Sequence, residues 1–515
     1  MVFLSTHTKK EDHTPTPTPE NQLSITSQFE YTNAVSVYGS HWASEEIPKY
    51  ELPVLEMPPP VAKQLIHDEL ALDGNPSLNL GSFVTTWIDE EAKELIKETA
   101  AVNIIDLEMY PRSAEIASRC VNMLAHLYNA PKAEGDAIGC STLGSSEGVM
   151  LSVLAMKKRW QERQRARGRP TDKPNLVMGA EVQVCWHKAT RYLEIEGREV
   201  PIDDKTYIMD PALAMEQVDE NTIGIVAILG TTYTGHYEDI KAMNDLLDKK
   251  CKETGDDIYI HVDAASGGFV APFVNPDLEW DFRLSRVCSI NVSGHKYGLV
   301  YPGIGWCIWR NQEALPKELI FYVNYLGSDQ ASFTLNFSKS ASHVIAQYYN
   351  FIRHGIAGYT RIMENLTHTS DYLAKKIENT GRFKIISATG GRGLPLVAFR
   401  LKNKELYDEF DIAAKIRERQ WIVPAYTMCK NLEEMKVLRI VVREDMSRSK
   451  ASILVDDIIA TVDFLDQFNE KTLETIRKQK EKHSHRAMAR RNSIVTPDQV
   501  NQDINDPSVK RTHVC

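Results

Sequence analysis

Val292-Ser293-Gly294-His295-Lys296-Tyr297-Gly298 closes an apolar run with a lysine set among small residues. Upstream, Ile258-Tyr259-Ile260-His261-Val262-Asp263 ends in a carboxylate and continues into Ala264-Ala265-Ser266-Gly267-Gly268. Both runs read as strands covered on two faces. Lys296 and Asp263 therefore fall at the carboxyl ends of strands, where open α/β sheets bind ligands. An unpaired carboxylate at such a place is costly, so Asp263 calls for a cationic partner.

Working outward, apolar runs at 175–178, 222–229, 258–263 and 287–292 read as strands, with a further one at 303–309. Residues 147–167 form a long helical pattern with Met150, Val153 and Leu154 on one face and basic residues towards its end. Helices alternating with buried strands predict an α/β fold with a mainly parallel sheet, here a large domain over 78–365. A smaller α+β unit is expected over 366–470. It has strands at 396–401 and 437–442 and a closing helix that carries Val455, Ile458, Ile459, Val462 and Leu465. Residues 1–30, with Thr14-Pro15-Thr16-Pro17-Thr18-Pro19, read as a mobile tail, and 31–77 as a separate N-terminal segment. Within the latter, Pro58-Pro59-Pro60 precedes a helical segment over 61–72. Residues 471–515 read as a basic disordered tail.

The 515 residues are 43% hydrophobic and 25% charged, an ordinary soluble composition with material for a large core. A net charge of −10 argues against nucleic acid as partner, since nothing basic covers the body of the chain. The eight cysteines are scattered without a C-x-x-C pair, so reduced thiols in the cytoplasm are expected rather than a disulfide framework or a metal cluster. No run is long enough for a membrane span, and the apolar start at Met1–Leu4 is too short for a secretory leader.

A buried amine and a buried carboxylate at two strand ends suit pyridoxal 5'-phosphate. The lysine would hold the aldehyde as a Schiff base, and the aspartate would keep the pyridine nitrogen protonated so that the ring accepts electrons. An arginine or structural hydrogen bonds would satisfy Asp263 equally. Gly144-Ser145-Ser146-Glu147 opens the long helix, and its hydroxyls and free N–H groups form an anion site, although an ordinary serine cap has the same appearance. Ser293 and His295 could add donors. Gly390-Gly391-Arg392-Gly393 lacks a following helix pattern and is set aside as a phosphate loop. His187, in Trp186-His187-Lys188, could lie flat on the cofactor ring, yet a lone histidine is more often structural.

Together Gly144–Glu147, Gln183-Val184-Cys185-Trp186-His187-Lys188, Thr231-Thr232-Tyr233-Thr234-Gly235, His261–Gly268 and Ser293–Gly298 resemble the pyridoxal-phosphate-dependent glutamate decarboxylases of bacteria, plants and fungi. Asn79-Leu80-Gly81-Ser82-Phe83, Asn103-Ile104-Ile105-Asp106, Asn336-Phe337-Ser338 and Leu438-Arg439-Ile440 extend the resemblance over about residues 30–468. It implies the fold type I, aspartate aminotransferase-like architecture and decarboxylation of L-glutamate to 4-aminobutyrate and CO2 with consumption of a proton. Lys296 would carry the cofactor, Asp263 would meet the pyridine nitrogen, and Ala265 and His187 would sandwich the ring. Ser145, Ser146, Ser293 and His295 would bind cofactor, with Gln183 and Thr232 near the ring hydroxyl and substrate. Phe337 and Ser338 would reach the phosphate of a neighbouring subunit, which implies at least a homodimer, with a hexamer as the larger assembly of some relatives.

Arg439 resembles the arginine that grips the substrate α-carboxylate, a fit for its planar fork. The distal carboxylate would meet Ser82, the Phe83 backbone, Asn103 and Asp106. Ser82 stands where the family usually has threonine, which keeps the hydroxyl. The Cα proton would come from Lys296 or Tyr325. Lysine and aspartate alone would serve an aminotransferase as well, so the reaction type rests on the resemblance. Other lyases of the superfamily and a cofactor-binding scaffold without turnover are the rival readings. The basic run at 477–491, with seven Lys/Arg against one Glu, invites comparison with the calmodulin-binding helix of plant relatives, but Ile476 and Met488 are its only bulky anchors. Arg490-Arg491-Asn492-Ser493 offers a phosphorylation site, and His513 is an unaligned counterpart of the histidine that plugs bacterial relatives. A merely solvated tail is the commoner outcome.

Overall fold

The structure, a computed structural model, describes residues 42, 46–54, 56–132, 135–323, 330–469, 472, 473, 475, 477 and 478. Seven strands form its central sheet: β1 (Gly139–Thr142), β2 (Asn175–Gly179), β3 (Glu196–Val200), β4 (Thr222–Ile228), β5 (Ile260–Asp263), β6 (Val287–Val292) and β7 (Gly305–Trp309). Their order is β1-β7-β6-β5-β4-β2-β3. The pairs from β3 through β6 are parallel, while β7 runs antiparallel to both β6 and β1. Every residue of β2, β4, β5, β6 and β7 is buried, as strands covered on both faces must be, and their Val, Ile and Leu content follows from that.

The expected strands are present within a few residues of their predicted ends. The two edges, β1 and β3, were not expected. Glu196-Gly197-Arg198-Glu199-Val200 is largely exposed or half-buried, and the short β1 buries only alternate residues, so neither carries the apolar run that marks a covered strand. The long helix Ser145–Ala166 packs Val149, Val153, Met156 and Trp160 into a core with Leu176, Met178, Trp186 and Val226.

After β7 the chain forms a short ladder of β8 (Phe321–Val323) and β9 (Gln330–Ser332). The helical stretch Ser342–Asn379 follows and is broken at Gly355, whose φ of 56° and ψ of −172° leave the helical region. The second sheet, β10-β11-β13-β12, is antiparallel and comprises β10 (Phe383–Ile385), β11 (Leu396–Leu401), β12 (Ala425–Thr427) and β13 (Lys436–Val441). The helix Glu409–Ile416 starts in a capping box made by Asp408 and Asp411, and Arg448–Leu465 is capped by the Ser447 hydroxyl.

Both sheets belong to one compact unit, Asn79–Arg477. The described residues before Asn79 fall in another unit. Its helix Pro59–Leu70 begins two residues before the expected 61, because Pro59 and Pro60 sit in the first turn, where a missing N–H costs nothing. No described helix is long and apolar enough to cross a membrane. Tyr325, Ser493, His513 and nearly all of 477–491 lie outside the described residues.

Candidate active site

The carboxyl ends of β2, β4, β5 and β6 point the same way and open into a cavity of about 840 Å3. Asp263, the last residue of β5, is 6% exposed and held from three sides. Trp186 Nε1 donates to its Oδ2 at 2.7 Å, while Asn291 Nδ2 and the Ala265 amide donate to Oδ1 at 3.0 and 3.1 Å. Behind it, buried His261 joins Ser289 Oγ at 2.7 Å through Nδ1 and Asn291 Oδ1 at 2.6 Å through Nε2. Burial pushes the His261 imidazole down to about 4. A neutral Nε2–H therefore donates to Asn291, whose amide passes the polarity on to Asp263.

Lys296 follows β6 and donates from Nζ to Ser266 Oγ at 3.0 Å. Its carbonyl accepts from Thr85 Oγ1 at 2.7 Å, and the Phe83 ring centroid lies 5.3 Å from Nζ. Burial lowers its affinity for the proton below the ordinary lysine range, an effect that Asp263 opposes and Arg439 reinforces.

At the N-terminus of Ser145–Ala166, Ser145 Oγ and Ser293 Oγ stand 2.7 Å apart, and no side chain caps the helix. Ser146 lines the cavity beside them. His295 Nδ1 is buried without a partner, and its ring covers Gly144 so closely that a Cβ there would stand 2.9 Å from Cε1. Two hydroxyls, free helix amides, an orphaned imidazole nitrogen and a bare glycine fit a phosphate monoester. Glu147 holds the cradle from behind: Oε2 accepts from the Leu143 amide at 2.8 Å and Oε1 from the Leu335 amide at 3.1 Å.

Arg439, on β13, is 2% exposed. Its Nη1 donates to Thr232 O and its Nη2 to Gly81 O, and the guanidinium lies 4.9 Å from the Phe83 ring centroid and 5.6 Å from that of Tyr426. Its Nε, buried, has no partner. A carboxylate is the ligand such a cation suits.

The cavity wall unites Ser82, Phe83, Ser145, Ser146, Gln183 and Thr232 with Asp263, Ala265, Ser293, His295, Lys296 and Arg439. Other expected members are elsewhere. His187, in the helix Val184–Tyr192, has Nδ1 3.6 Å from Glu199 Oε1. Gln183, whose Oε1 caps that helix through the Cys185 amide, lines the cavity. Asn103 accepts from the Lys339 amide at 3.1 Å and donates to Ser338 Oγ at 3.5 Å, and Asp106 caps its own turn through the Met109 amide at 3.1 Å. Asn103, Asp106, Phe337 and Ser338 do not line the cavity of their own chain.

Trp186, Asn291, Ser266 and Thr85 were not anticipated as site residues. Ser289 and Asn291 had a signal, since polar residues in a fully buried strand need partners. Trp186 and Thr85 had none.

Residues 48–402 match the family model of the pyridoxal-dependent decarboxylase conserved domain, and the chain belongs to that family. Within it, the chain is 54% identical over 432 residues to the glutamate decarboxylase of Petunia hybrida, covering 84% of this chain and 86% of the relative. It is 53% identical over 442 residues to glutamate decarboxylase 1 of Arabidopsis thaliana, covering 86% and 88%. Among solved structures, the glutamate decarboxylase of Lactobacillus brevis superposes with a TM-score of 0.81 at 44% identity, covering 84% of this chain and 99% of that one.

Proposed function

We propose that this chain converts L-glutamate and a proton into 4-aminobutyrate and CO2. The meeting of Lys296, Asp263 and Arg439 in one buried cavity carries this reading, and the similarity to glutamate decarboxylases from plants and a bacterium supports the substrate. When bound, pyridoxal phosphate supplies an electron sink for the bond to the leaving carboxylate. Ser145, Ser146, Ser293 and His295 would hold its phosphate, and Asp263 would face its ring nitrogen.

Lys296 Nζ, whose hold on a proton burial weakens, would provide the amine that carries the cofactor aldehyde, and once displaced and protonated it would give Cα its proton. Arg439 binds one substrate carboxylate through donors still free on its fork, against an apolar wall of Phe83 that excludes water. Ser82 receives the distal carboxylate. Asn103, Asp106, Phe337 and Ser338 serve the cavity of a second copy of the chain, a role that fits their clustering away from their own cavity.

Release of labelled CO2 from L-glutamate, compared with L-aspartate, L-tyrosine and L-histidine, tests the substrate. Release from glutamate alone is expected, and equal release from tyrosine or histidine would refute it. Lys296→Ala should reduce release to background.

A further inference from the structure

Two buried acids in this region have no role in that chemistry. Glu181 lies two residues beyond β2 and lines the cavity, and Glu238 follows the turn after β4. They are 0% and 4% exposed. Glu181 Oε1 accepts from the Met209 amide at 2.7 Å, and Glu238 Oε2 from the Ile228 amide at 2.6 Å. The remaining oxygens, Glu181 Oε2 and Glu238 Oε1, meet no N–H or O–H donor, yet the two side chains lie in hydrogen-bonding contact with each other. The fit is close: a Cβ on Gly179 would stand 2.2 Å from Glu181 Oε2.

Two acceptors cannot face each other without a proton between them, and two ionised carboxylates cannot share a water-free wall. Among the described residues, no cation forms an ion pair with either acid. The titratable groups around the pair are Tyr233 and Cys429, both of which sense Glu181 and both of which burial keeps neutral. Arg439 acts on Tyr233, and Glu199 and Glu433 act on Cys429. His236, near Glu238 in the chain, is turned to Thr234 Oγ1 instead.

We propose that Glu181 and Glu238 share a proton and form a positioning pair for the reaction, tying the segments after β2 and β4 together so that Gln183 and Thr232 keep their places in the cavity wall. The proposal rests on the function inferred above. Thr232 in turn offers its carbonyl to Arg439, so the clamp supports the carboxylate-binding cation as well. Burial first, and Glu181 beside it, hold Glu238 well above the ordinary carboxylate range, and burial pushes Glu181 up to about 7.

The test compares Glu238→Gln with Glu238→Leu. Glutamine keeps a donor towards Glu181 and should leave kcat/KM and the affinity for added pyridoxal phosphate within about twofold, whereas leucine should lower both by roughly tenfold or more. Equal damage by both variants, or none by leucine, overturns the proposal. Should the leucine variant fail to fold, Gly179→Ala displaces the Glu181 carboxyl and should give the same loss; no loss overturns the pair.

A readout independent of turnover is the stability of the cofactor-free chain against pH. With Glu181 raised in the fold from 4.5 to about 7, the unaltered chain loses stability as pH rises through that window, and Glu181→Gln should lack this decline. Parallel profiles would overturn the shared proton. If the unaltered enzyme releases no CO2 from glutamate, the inferred function fails, while the affinity and stability comparisons still decide the pair.

Discussion

Trp186 Nε1 donates to Asp263 Oδ2 across 2.7 Å, so an indole from the helix after β2 holds the carboxylate that ends β5. The same ring lies 5.4 Å from that of His261. Together with Asn291 it fixes which way both carboxylate oxygens face, which is what a partner for a pyridine nitrogen needs.

Trp186→Phe keeps the packing and removes the donor. The buried oxygen then loses its partner, at a cost of about 1–3 kcal/mol. Urea unfolding of the cofactor-free protein should show that loss, and affinity for pyridoxal phosphate should fall with it. Unchanged unfolding would show that Trp186 acts on Asp263 through packing alone.

Gly144→Ala should weaken phosphate binding. Gly144 has a φ of 153°, and a Cβ there drives His295 from its place. A strain of about 1–3 kcal/mol corresponds to a roughly ten- to hundredfold weaker cofactor complex. Titration followed by cofactor absorbance measures it.

Arg439→Lys conserves charge and loses the fork. Lysine cannot hold Thr232 O and Gly81 O while also facing a carboxylate, so kcat/KM for glutamate should drop by about 10–100-fold. Steady-state kinetics with a change of less than twofold would count against the assigned role.

The buried histidines make the fold sensitive to acid. Burial pushes His295 and His261 down to about 4, against 6.5 in the unfolded chain. The unfolded state then binds more protons between pH 6.5 and 4, so stability falls as pH drops through that window, opposite in direction to the Glu181 effect. His295→Asn should lose less stability over that range than the unaltered chain, as read from unfolding midpoints of the cofactor-free protein. A loss of equal size would mean that His295 is not held neutral.

The strands that face helices on both sides were legible because burial forces β-branched and apolar runs, as in Val287–Val292. The edges β1 and β3 were not, since a half-solvated strand carries no such run. The helix start at Gly144, Ser145 and Ser146 was legible because these residues are contiguous, and local geometry at a helix start follows from local sequence.

What the amino-acid sequence determined by itself is the chemistry that depends on adjacency: a lysine after one buried strand, an aspartate at the end of another, and a glycine and serines before a helix. Tertiary structure alone decided the contacts between segments far apart in the chain. It seated Arg439 against Gly81 O, set His187 beside Glu199, and brought Trp186 to Asp263 and Glu181 to Glu238. The reason is physical: a side chain's partners across a sheet depend on strand order and register, which no local pattern of residues encodes.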